Sequence, residues 1–401
     1  MIISHKITCW INIKVPIELM FHSTETALLR VQNDILSNMQ NRHVVALVML
    51  DLSAAFDTID HDILFNRLKT RFGIHGTALD WIISYLTNRK QCVSVLNKTS
   101  NDAELNFGVP QGSVLGPLLF TLYVAPIADI AIQAGVSHHM YADDNQLYVS
   151  FNPHKESTLV LDNIQNCIMS IKAWMQSNML KLNDSKTEYI VFGSPHFMRQ
   201  LTIPNLQVGT SVIESSDKVK NLGATFDSCL TMENFVLDKV RSSLFYLKNI
   251  KRIRPCLTQE TAKTLVHAFV ITRLDYANSL LYGIRSDLVK KLQVVQNYAA
   301  RLIYQTSRYH SALPLFKTLH WLPVETRVTF KILVLVHKCL IGQGPSYLTD
   351  LLQWKKPTRN LRSYDCKLLE NSRSVNSFGD RAFYICAPKL WNKLPLCIRN
   401  I

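Results

Sequence analysis

Hydrophobic residues follow two different spacings along the first half of the chain. Apolar side chains recur at steps of three and four from Ala27 to Leu36 and from Leu161 to Met175, which predicts two amphipathic helices. Val44–Leu50 is instead an unbroken apolar, largely β-branched run, typical of a strand that is buried on both faces. The chain therefore contains both helices and strands within the same region.

Two adjacent aspartates interrupt a second strand-like region. Asp143 and Asp144 follow Met140-Tyr141-Ala142, and alternation resumes over Gln146–Ser150, which predicts a hairpin with both acids at its bend. Two unpaired carboxylates beside an apolar sheet repel each other and lose hydration, and a bound divalent cation removes both costs. The alternative for this short motif alone is a solvated Asp-Asp turn.

A third carboxylate stands far upstream of this pair. Asp51 closes the apolar strand Val44–Leu50, where an isolated charge is unfavourable unless something binds it. Together with Asp143 and Asp144 it can hold two magnesium ions for an in-line phosphoryl transfer, because magnesium uses a few carboxylates plus substrate oxygens. The sequence thus predicts one metal site built from three aspartates.

Further elements connect these acids. Asp60 is placed to cap a helix with Ile63, Leu64 and Leu68 on one face, while Asp57, Asp60 and His61 need no catalytic role. The remaining expectations are a helical stripe through Trp81 and Leu86, strands at Gln91–Val95 and Lys186–Gly193, short strands over 209–225, and mostly helices after Thr231.

The stretch from Leu105 to Ala128 contains no charged residue and is long enough to suggest a membrane span. Pro110, Pro117 and Pro126 interrupt it, so a loop entering a buried helix is the better interpretation. We therefore expect no membrane partner.

Charge is distributed unevenly along the 401 residues. Residues 1–230 hold 17 Lys and Arg against 20 Asp and Glu (net −3), whereas residues 231–401 hold 27 against 10 (net +17). A basic half of this kind favours binding to nucleic acid, with an ordinary solvated basic surface as the alternative.

The cysteines and the start of the chain indicate an intracellular protein. The nine cysteines are odd in number and form no Cys-x-x-Cys pair, so neither a disulfide framework nor a zinc ribbon is expected, and we expect them reduced and mostly buried. The first ten residues lack the pattern of a signal peptide. We expect the protein in the nucleus or the cytoplasm, not secreted.

Four motifs occur in an order that is more specific than any of them alone. They are His22-Ser23-Thr24-Glu25-Thr26-Ala27-Leu28, Leu50-Asp51-Leu52-Ser53-Ala54-Ala55-Phe56-Asp57, Gly108-Val109-Pro110-Gln111-Gly112-Ser113-Val114-Leu115-Gly116-Pro117 and Tyr141-Ala142-Asp143-Asp144. In this order they resemble the reverse transcriptases, most closely those of non-LTR (LINE-type) retrotransposons. The resemblance extends from about residue 21 to residue 401.

The resemblance implies an α+β fold shaped like a right hand. Residues 1–20 are unmatched, 21–230 correspond to partial fingers and a palm, 231–285 to a helical thumb, and 286–401 to the basic, mostly helical C-terminal region of LINE-type elements. The implied reaction is RNA-directed DNA synthesis with two Mg²⁺ ions, an RNA template, a DNA primer and deoxynucleoside triphosphates.

The resemblance also assigns roles to individual residues. Asp51, Asp143 and Asp144 are the implied catalytic metal ligands. The implied role of Phe56 is to exclude ribonucleotides, because its ring would collide with a ribose 2′-hydroxyl; the alternative is that Phe56 only packs in the core. Gln111 and Gly112 are the implied lining of the nucleotide site, although Gln111 alone is equally consistent with a turn residue. Lys186 lies near the position of a proton donor to pyrophosphate, and a solvated lysine explains it equally well.

The basic half adds a candidate nucleic-acid surface and a rival hypothesis. Asn221-Leu222-Gly223 resembles the turn that supports the primer, and the cations Lys239, Arg241, Lys248, Lys251, Arg252 and Arg254, with Phe245 and Tyr246, are candidates for phosphate binding and base stacking. Because residues 1–20 do not match the family's upstream finger segment, we expect an amino-terminally truncated chain. The rival hypothesis is therefore an inactive remnant that only binds nucleic acid.

Overall fold

The computed structural model of the protein describes residues 21–53, 55–96, 98–153, 157–209, 211–355 and 367–399. The segment 1–20, predicted to be unmatched, lies outside these residues. The described chain divides into a first unit, residues 46–191 and 202–216, and a second unit, residues 21–45, 192–201 and 217–399. Both units combine helices with strands or hairpins, so the mixed helix-and-sheet character predicted from the sequence is confirmed.

The strands of the first unit are β1 (Val44–Leu50), β2 (Leu52–Ser53), β3 (Arg89–Gln91), β4 (Ser94–Val95), β5 (Lys98–Thr99), β6 (Ala103–Leu105), β7 (Ser137–Tyr141), β8 (Asp144–Phe151), β9 (Lys181–Leu182), β10 (Glu188–Phe192), β11 (Leu206–Val208) and β12 (Ser211–Ile213). Four of them form the main sheet of this unit, in the order β10-β1-β8-β7. Helix α1 (Thr24–Gln40) belongs to the second unit, and the helices of the first unit are α2 (His61–Thr70), α3 (Thr77–Leu86), α4 (Gly116–Val124), α5 (Pro126–Gln133) and α6 (Ser157–Ser177).

Burial explains why these segments form this sheet. Six of the seven residues of β1 are buried, as expected for a central strand. Helix α6 packs against β8, and its apolar side chains at steps of three and four, Leu161, Ile164, Ile168, Ile171 and Met175, are all buried. The predicted strand and the predicted amphipathic helix are thus both confirmed.

Two predicted strands differ from the observed ones. The segment Gln91–Val95 is not continuous, because β3 ends at Gln91 and pairs with β6, whereas β4 pairs with β5. Lys186 does not begin a strand; it ends the 3₁₀ turn Asp184–Lys186, and β10 begins at Glu188. The bounds of the short strands β3 and β4, and of β10 after its 3₁₀ turn, depend on their pairing partners, which local alternation of apolar and polar residues does not reveal.

The uncharged stretch forms a loop followed by helices, as predicted. Within the described residues, Gly116–Gln133 is long and apolar enough to cross a membrane by length and composition alone, and 44% of it is buried in the protein. It consists of two helices, α4 and α5, with Pro126 at the start of the second.

The second unit is mostly helical. It contains α1 (Thr24–Gln40), α7 (Pro195–Gln200), the hairpin of β13 (Lys218–Asn221) and β14 (Ala224–Asp227), α8 (Glu233–Ile253), α9 (Gln259–Val266), a π-helical turn (His267–Ile271), α10 (Thr272–Asp275), α11 (Ser286–Tyr304), α12 (Leu313–Leu319), α13 (Val324–Leu340), α14 (Ser346–Thr349), α15 (Ser377–Arg381), α16 (Phe383–Asn392), α17 (Leu396–Arg399) and 3₁₀ turns at Arg254–Cys256 and Asn278–Leu281.

Helix α1 packs against segments that lie more than 240 residues further along the chain. Its buried side chains make the contacts: Gln32 Nε2 donates to the carbonyl of Leu280 (3.1 Å), and Gln40 Nε2 donates to the hydroxyl of Tyr384 (3.0 Å). Asn33 Oδ1 accepts the backbone N–H of Tyr384 (3.0 Å). The helix therefore belongs to the second unit. The predicted boundaries placed it in the region 21–230; because they describe functional regions and not packing units, they remain a prediction.

Two cations predicted for the basic surface are buried instead. Lys239 and Arg254 are each 6% exposed, and Arg254 donates to the carbonyls of Leu302 and Ile303 at 3.0 and 2.6 Å. Their N–H groups serve the fold, because buried carbonyl groups need hydrogen-bond donors. The assignment of these two residues to phosphate binding was wrong.

The described cysteines are all free, and only some of them are buried. Cys167, Cys339 and Cys386 lie in the interior, whereas Cys92, Cys256 and Cys397 are exposed. The expectation that most cysteines are buried was therefore wrong for the described residues.

Candidate active site

The two adjacent aspartates lie at the bend of a hairpin, as predicted. Strands β7 and β8 pair antiparallel with Tyr141 opposite Asp144, so Ala142 and Asp143 form the turn. Ala142 has a φ of +53°, which re-aims the chain between the two carboxylates. Asn145, 1% exposed, donates from Nδ2 to the carbonyl of Asp143 (3.1 Å) and ties the bend to the strand below it.

Asp51 directly follows β1, the strand that lies next to β8 in the sheet. Its backbone carbonyl accepts the N–H of Asn183 (2.9 Å), immediately after the pairing of β2 with β9. Asn183 leads into the 3₁₀ turn Asp184–Lys186, and Nζ of Lys186 lies 3.7 Å from Asp51 Oδ2. The pairing of β2 with β9 therefore brings a lysine from 135 positions downstream to the first aspartate.

The electrostatics of Asp144 connect all three acids. Asp144 is exposed, yet partial loss of hydration at the strand end raises the pKa of its carboxyl, and the negative charges of Asp143 and then Asp51 raise this pKa further. In the part of the chain that the structure describes, no three His, Cys, Asp or Glu side chains converge as closely as metal ligands. The three carboxylates are thus near enough for Asp143 and Asp51 to disfavour the charge of Asp144, but they do not converge like the ligands of a bound metal. Carboxylate oxygens of this kind are ligands that suit a hard divalent cation.

A loop before α4 is fixed against the segment that follows Asp51. Gly108 donates its N–H to the carbonyl of Ile59 (2.8 Å), and its own carbonyl lies 2.8 Å from His61 Nε2. Gly108 has a φ of +82°, and a Cβ there would lie 2.9 Å from the carbonyl oxygen of Asp57. Only glycine fits this approach, so Gly108 sets the distance between the two segments.

The residues predicted to line the nucleotide lie on these two segments. Gln111 is exposed, and its Nε2 donates to both carboxylate oxygens of Asp57 at 2.9 and 3.0 Å. Gly112 follows in the same turn, with no atom within 4 Å of an added Cβ. Phe56 is half-buried, with its ring centroid 4.9 Å from that of Phe120. Phe56 therefore packs on α4 and also keeps part of its surface open.

Several residues of this site had no predicted role in it. Asn145 and Asn183 hold the backbones of Asp143 and Asp51, and Asp57 orients Gln111. Asp60 was correctly predicted as a helix cap, since its carboxylate accepts the N–H of Ile63 (2.9 Å). Asn145 directly follows the predicted Asp144, whereas Asn183 is distant from Asp51 in the sequence and reaches it through the pairing of β2 with β9.

Comparison with known proteins identifies relatives of this chain. A family model described as "Reverse transcriptase (RNA-dependent DNA polymerase)" matches residues 15–226. The chain is 27% identical over 324 residues to a probable RNA-directed DNA polymerase from transposon BS of Drosophila melanogaster, covering 77% of this chain and 34% of that protein. It is 26% identical over 288 residues to the X-element polymerase of the same species, covering 70% and 31%. The chain thus spans about a third of the length of these curated relatives.

Solved structures give a more distant likeness. The telomerase of Candida tropicalis, in complex with a fragment of telomeric RNA, aligns with a TM-score of 0.42 and 12% identity, covering 80% of this chain and 56% of that one. The telomerase of Candida albicans aligns with a TM-score of 0.37 and 13% identity, covering 82% and 55%.

Proposed function

The chain belongs to the reverse transcriptase (RNA-dependent DNA polymerase) family, since more than half of its residues match the family model, and we propose that it catalyses RNA-directed DNA synthesis for a non-LTR retrotransposon. In this reaction a primer 3′-hydroxyl attacks a deoxynucleoside triphosphate and pyrophosphate leaves. The observation that carries the proposal is the position of three aspartates on neighbouring strands: Asp51 directly follows β1, and Asp143 and Asp144 lie at the bend that begins β8.

These three aspartates are the residues that would hold the catalytic metal. Members of the family depend on a divalent cation, and three mutually repelling carboxylates fit Mg²⁺, which prefers oxygen ligands. Two bound Mg²⁺ ions would supply charge neutralisation for the phosphates and a more acidic primer hydroxyl. Asn145 and Asn183 contribute by fixing the backbones of Asp143 and Asp51.

The nucleotide would be oriented by the two segments that Gly108 holds together. Phe56, supported from behind by Phe120, presents a ring that excludes a ribose 2′-hydroxyl. Gln111, held by Asp57, and Gly112 form the surface against the nucleotide and template. Lys186 lies at Asp51 with 70% of its side chain exposed, and we assign it the transfer of a proton to the departing pyrophosphate.

The second unit would supply contacts to the primer and template. We assign palm and partial fingers to residues 21–230, a helical thumb to 231–285 and an accessory basic region to 286–401. The exposed cations of α8, Arg241, Lys248, Lys251 and Arg252, remain candidates for phosphate contacts. Beside them, the rings of Tyr246 and Phe269 stack at 5.2 Å, and the guanidinium of Arg273 covers Tyr246 at 4.1 Å. Such cation and ring surfaces suit nucleic acid.

Primer extension on an RNA template tests this proposal. Wild-type protein should extend an annealed DNA primer with deoxynucleotides and Mg²⁺, and Asp143→Asn should lower the rate at least about 100-fold, because it removes a metal ligand at the reacting phosphate. Asp162→Asn makes the same chemical change at an exposed position of α6 and should match the wild type.

Two results would count against the proposal. Equal rates for Asp143→Asn and wild type would remove the metal assignment. Primer–template binding by the wild type without any extension would favour the rival hypothesis of a nucleic-acid-binding remnant.

A further inference from the structure

A tyrosine links the helices of the second unit to the turn between β13 and β14. The hydroxyl of Tyr276 donates to the backbone carbonyl of Leu222, which lies in that turn. Leu222 has a φ of +41°, a backbone conformation that leucine rarely adopts. A strained residue of this kind persists where its surroundings hold it in place. Tyr276 supplies one such restraint.

The ring of Tyr276 also lies directly against the next residue of the turn. Gly223 has a φ of +81°, and a Cβ built there would lie 3.3 Å from the hydroxyl oxygen of Tyr276 and 3.4 Å from its Cε1. The absence of a side chain thus allows the ring to rest on the backbone of the turn. Because 39% of Tyr276 remains exposed, this contact lies at the surface of the protein.

A buried lysine holds the backbone of Tyr276 from the other side. Nζ of Lys239 donates to the carbonyls of Arg273 and Tyr276, both at 2.6 Å, and lies 4.5 Å from the centroid of the Phe235 ring. These carbonyls end helix α10, where backbone acceptors lack helical partners, and the N–H groups of Lys239 supply them. Lys239 therefore fixes the helix end from which the side chain of Tyr276 extends to the turn.

We propose that Tyr276 is a positioning residue that holds the Leu222–Gly223 turn in place for a primer–template duplex, with Lys239 holding Tyr276. This inference rests on the proposed function, to which it adds the primer-supporting role that the sequence resemblance implies for this turn. It assigns a role to residues outside the carboxylate cluster, and it requires that loss of one hydroxyl group weakens duplex binding without changing the chemical step.

The decisive variant is Tyr276→Phe, which removes only the hydroxyl. We expect about fivefold weaker binding of a primer–template duplex, the effect of one lost hydrogen bond, and a similarly raised KM for primer–template with an unchanged kcat. Hydrogen exchange of the amides in residues 218–227 of the free protein should become about fivefold faster. Tyr309→Phe, a hydroxyl removed from an exposed tyrosine elsewhere in the second unit, should change none of these values.

A second variant tests the contact with Gly223. Gly223→Ala should weaken duplex binding in the wild-type background, since alanine is strained at this φ and its Cβ approaches the Tyr276 hydroxyl to 3.3 Å. In the Tyr276→Ala background the backbone strain remains but the close approach is absent, so the same glycine change should cost less. Additive effects of the two changes would contradict the contact.

The outcomes separate this inference from the proposed function. If the wild type extends primers but Tyr276→Phe behaves like Tyr309→Phe in duplex binding, KM and exchange, the positioning role is overturned and the polymerase assignment stands. If the wild type extends no primer while Tyr276→Phe still weakens duplex binding and speeds exchange, the polymerase assignment fails and the positioning role stands.

Discussion

The ammonium group of Lys186 lies 3.7 Å from Oδ2 of Asp51. A largely exposed pair of this kind contributes less than about 1 kcal/mol to stability. Lys186→Met should therefore leave the melting temperature almost unchanged but lower the single-turnover rate of extension about 100-fold, because general acid catalysis contributes at least this much. Lys181→Met, at an exposed lysine of β9, is the matched control. An unchanged rate would return Lys186 to the role of a solvated lysine.

The carboxylate cluster predicts an unusual effect on stability. A raised pKa means that folding favours the protonated Asp144, so its contribution to stability is lost as pH rises through the folded-state pKa. Asp144→Asn imitates the protonated form. With a chelator present at neutral pH, this variant should melt at the same temperature as the wild type or higher, while primer extension is abolished. A clearly lower melting temperature would show that the carboxylate is structural.

The packing of Phe56 gives a prediction about sugar selection. Phe56→Ala opens space beside the sugar, so the ratio of ribonucleotide to deoxynucleotide insertion should rise about tenfold or more, as expected when a pocket loses a steric element. Phe120→Leu loosens the packing behind Phe56 without removing its ring and should change this ratio much less. Equal ratios in single-nucleotide insertion by wild type and Phe56→Ala would leave Phe56 with a packing role alone.

Buried Lys239 predicts that stability depends on pH. Burial lowers the pKa of its amine from 10.5 to about 7 in the folded protein, and nearby Asp275 and Glu25 oppose the shift. The unfolded chain therefore binds more protons between pH 7 and about 10.5, so stability rises with pH across this window. The melting temperature of the wild type, relative to Lys239→Met, should rise by at least about 2 °C from pH 7 to pH 9. Lys248→Met, at an exposed lysine of the same helix, should show no such trend.

The exposed cations of α8 predict the salt dependence of nucleic-acid binding. Full-length protein is the appropriate material, because buried polar groups of α1 pair with segments near Leu280 and Tyr384. Binding should have little sequence preference and weaken steeply with salt, and changing Lys248 and Arg252 to Glu should reduce the logarithmic salt slope by about 2. The same change at Lys317 and Lys338 should reduce it less. Affinity that stays constant between low and high salt would identify the +17 charge as a solvated surface.

Local patterns predicted the elements whose apolar residues are buried in the core. Alternation predicted the 137–151 hairpin, a continuous apolar run predicted β1, and helical spacing predicted α6, because burial of these side chains determines the type of element. Patterns failed where partners are distant. Lys239 and Arg254 look like solvated charges, and only the carbonyl groups brought to them by other helices explain their burial. The order of motifs along the chain suggested the three acids, but it did not reveal that Asn145 and Asn183 hold two of them.

The long-range packing of α1 has a consequence for folding during synthesis. Gln32, Asn33 and Gln40 leave the ribosome well before Leu280 and Tyr384, which satisfy their polar groups. Until those segments have been synthesised, the buried face of the helix lacks the residues that pack on it in the folded protein. Contacts between residues so far apart in the sequence also form slowly. We therefore expect the nascent chain to depend on chaperones over most of its length, and the second unit to acquire protease resistance only after Tyr384 has emerged.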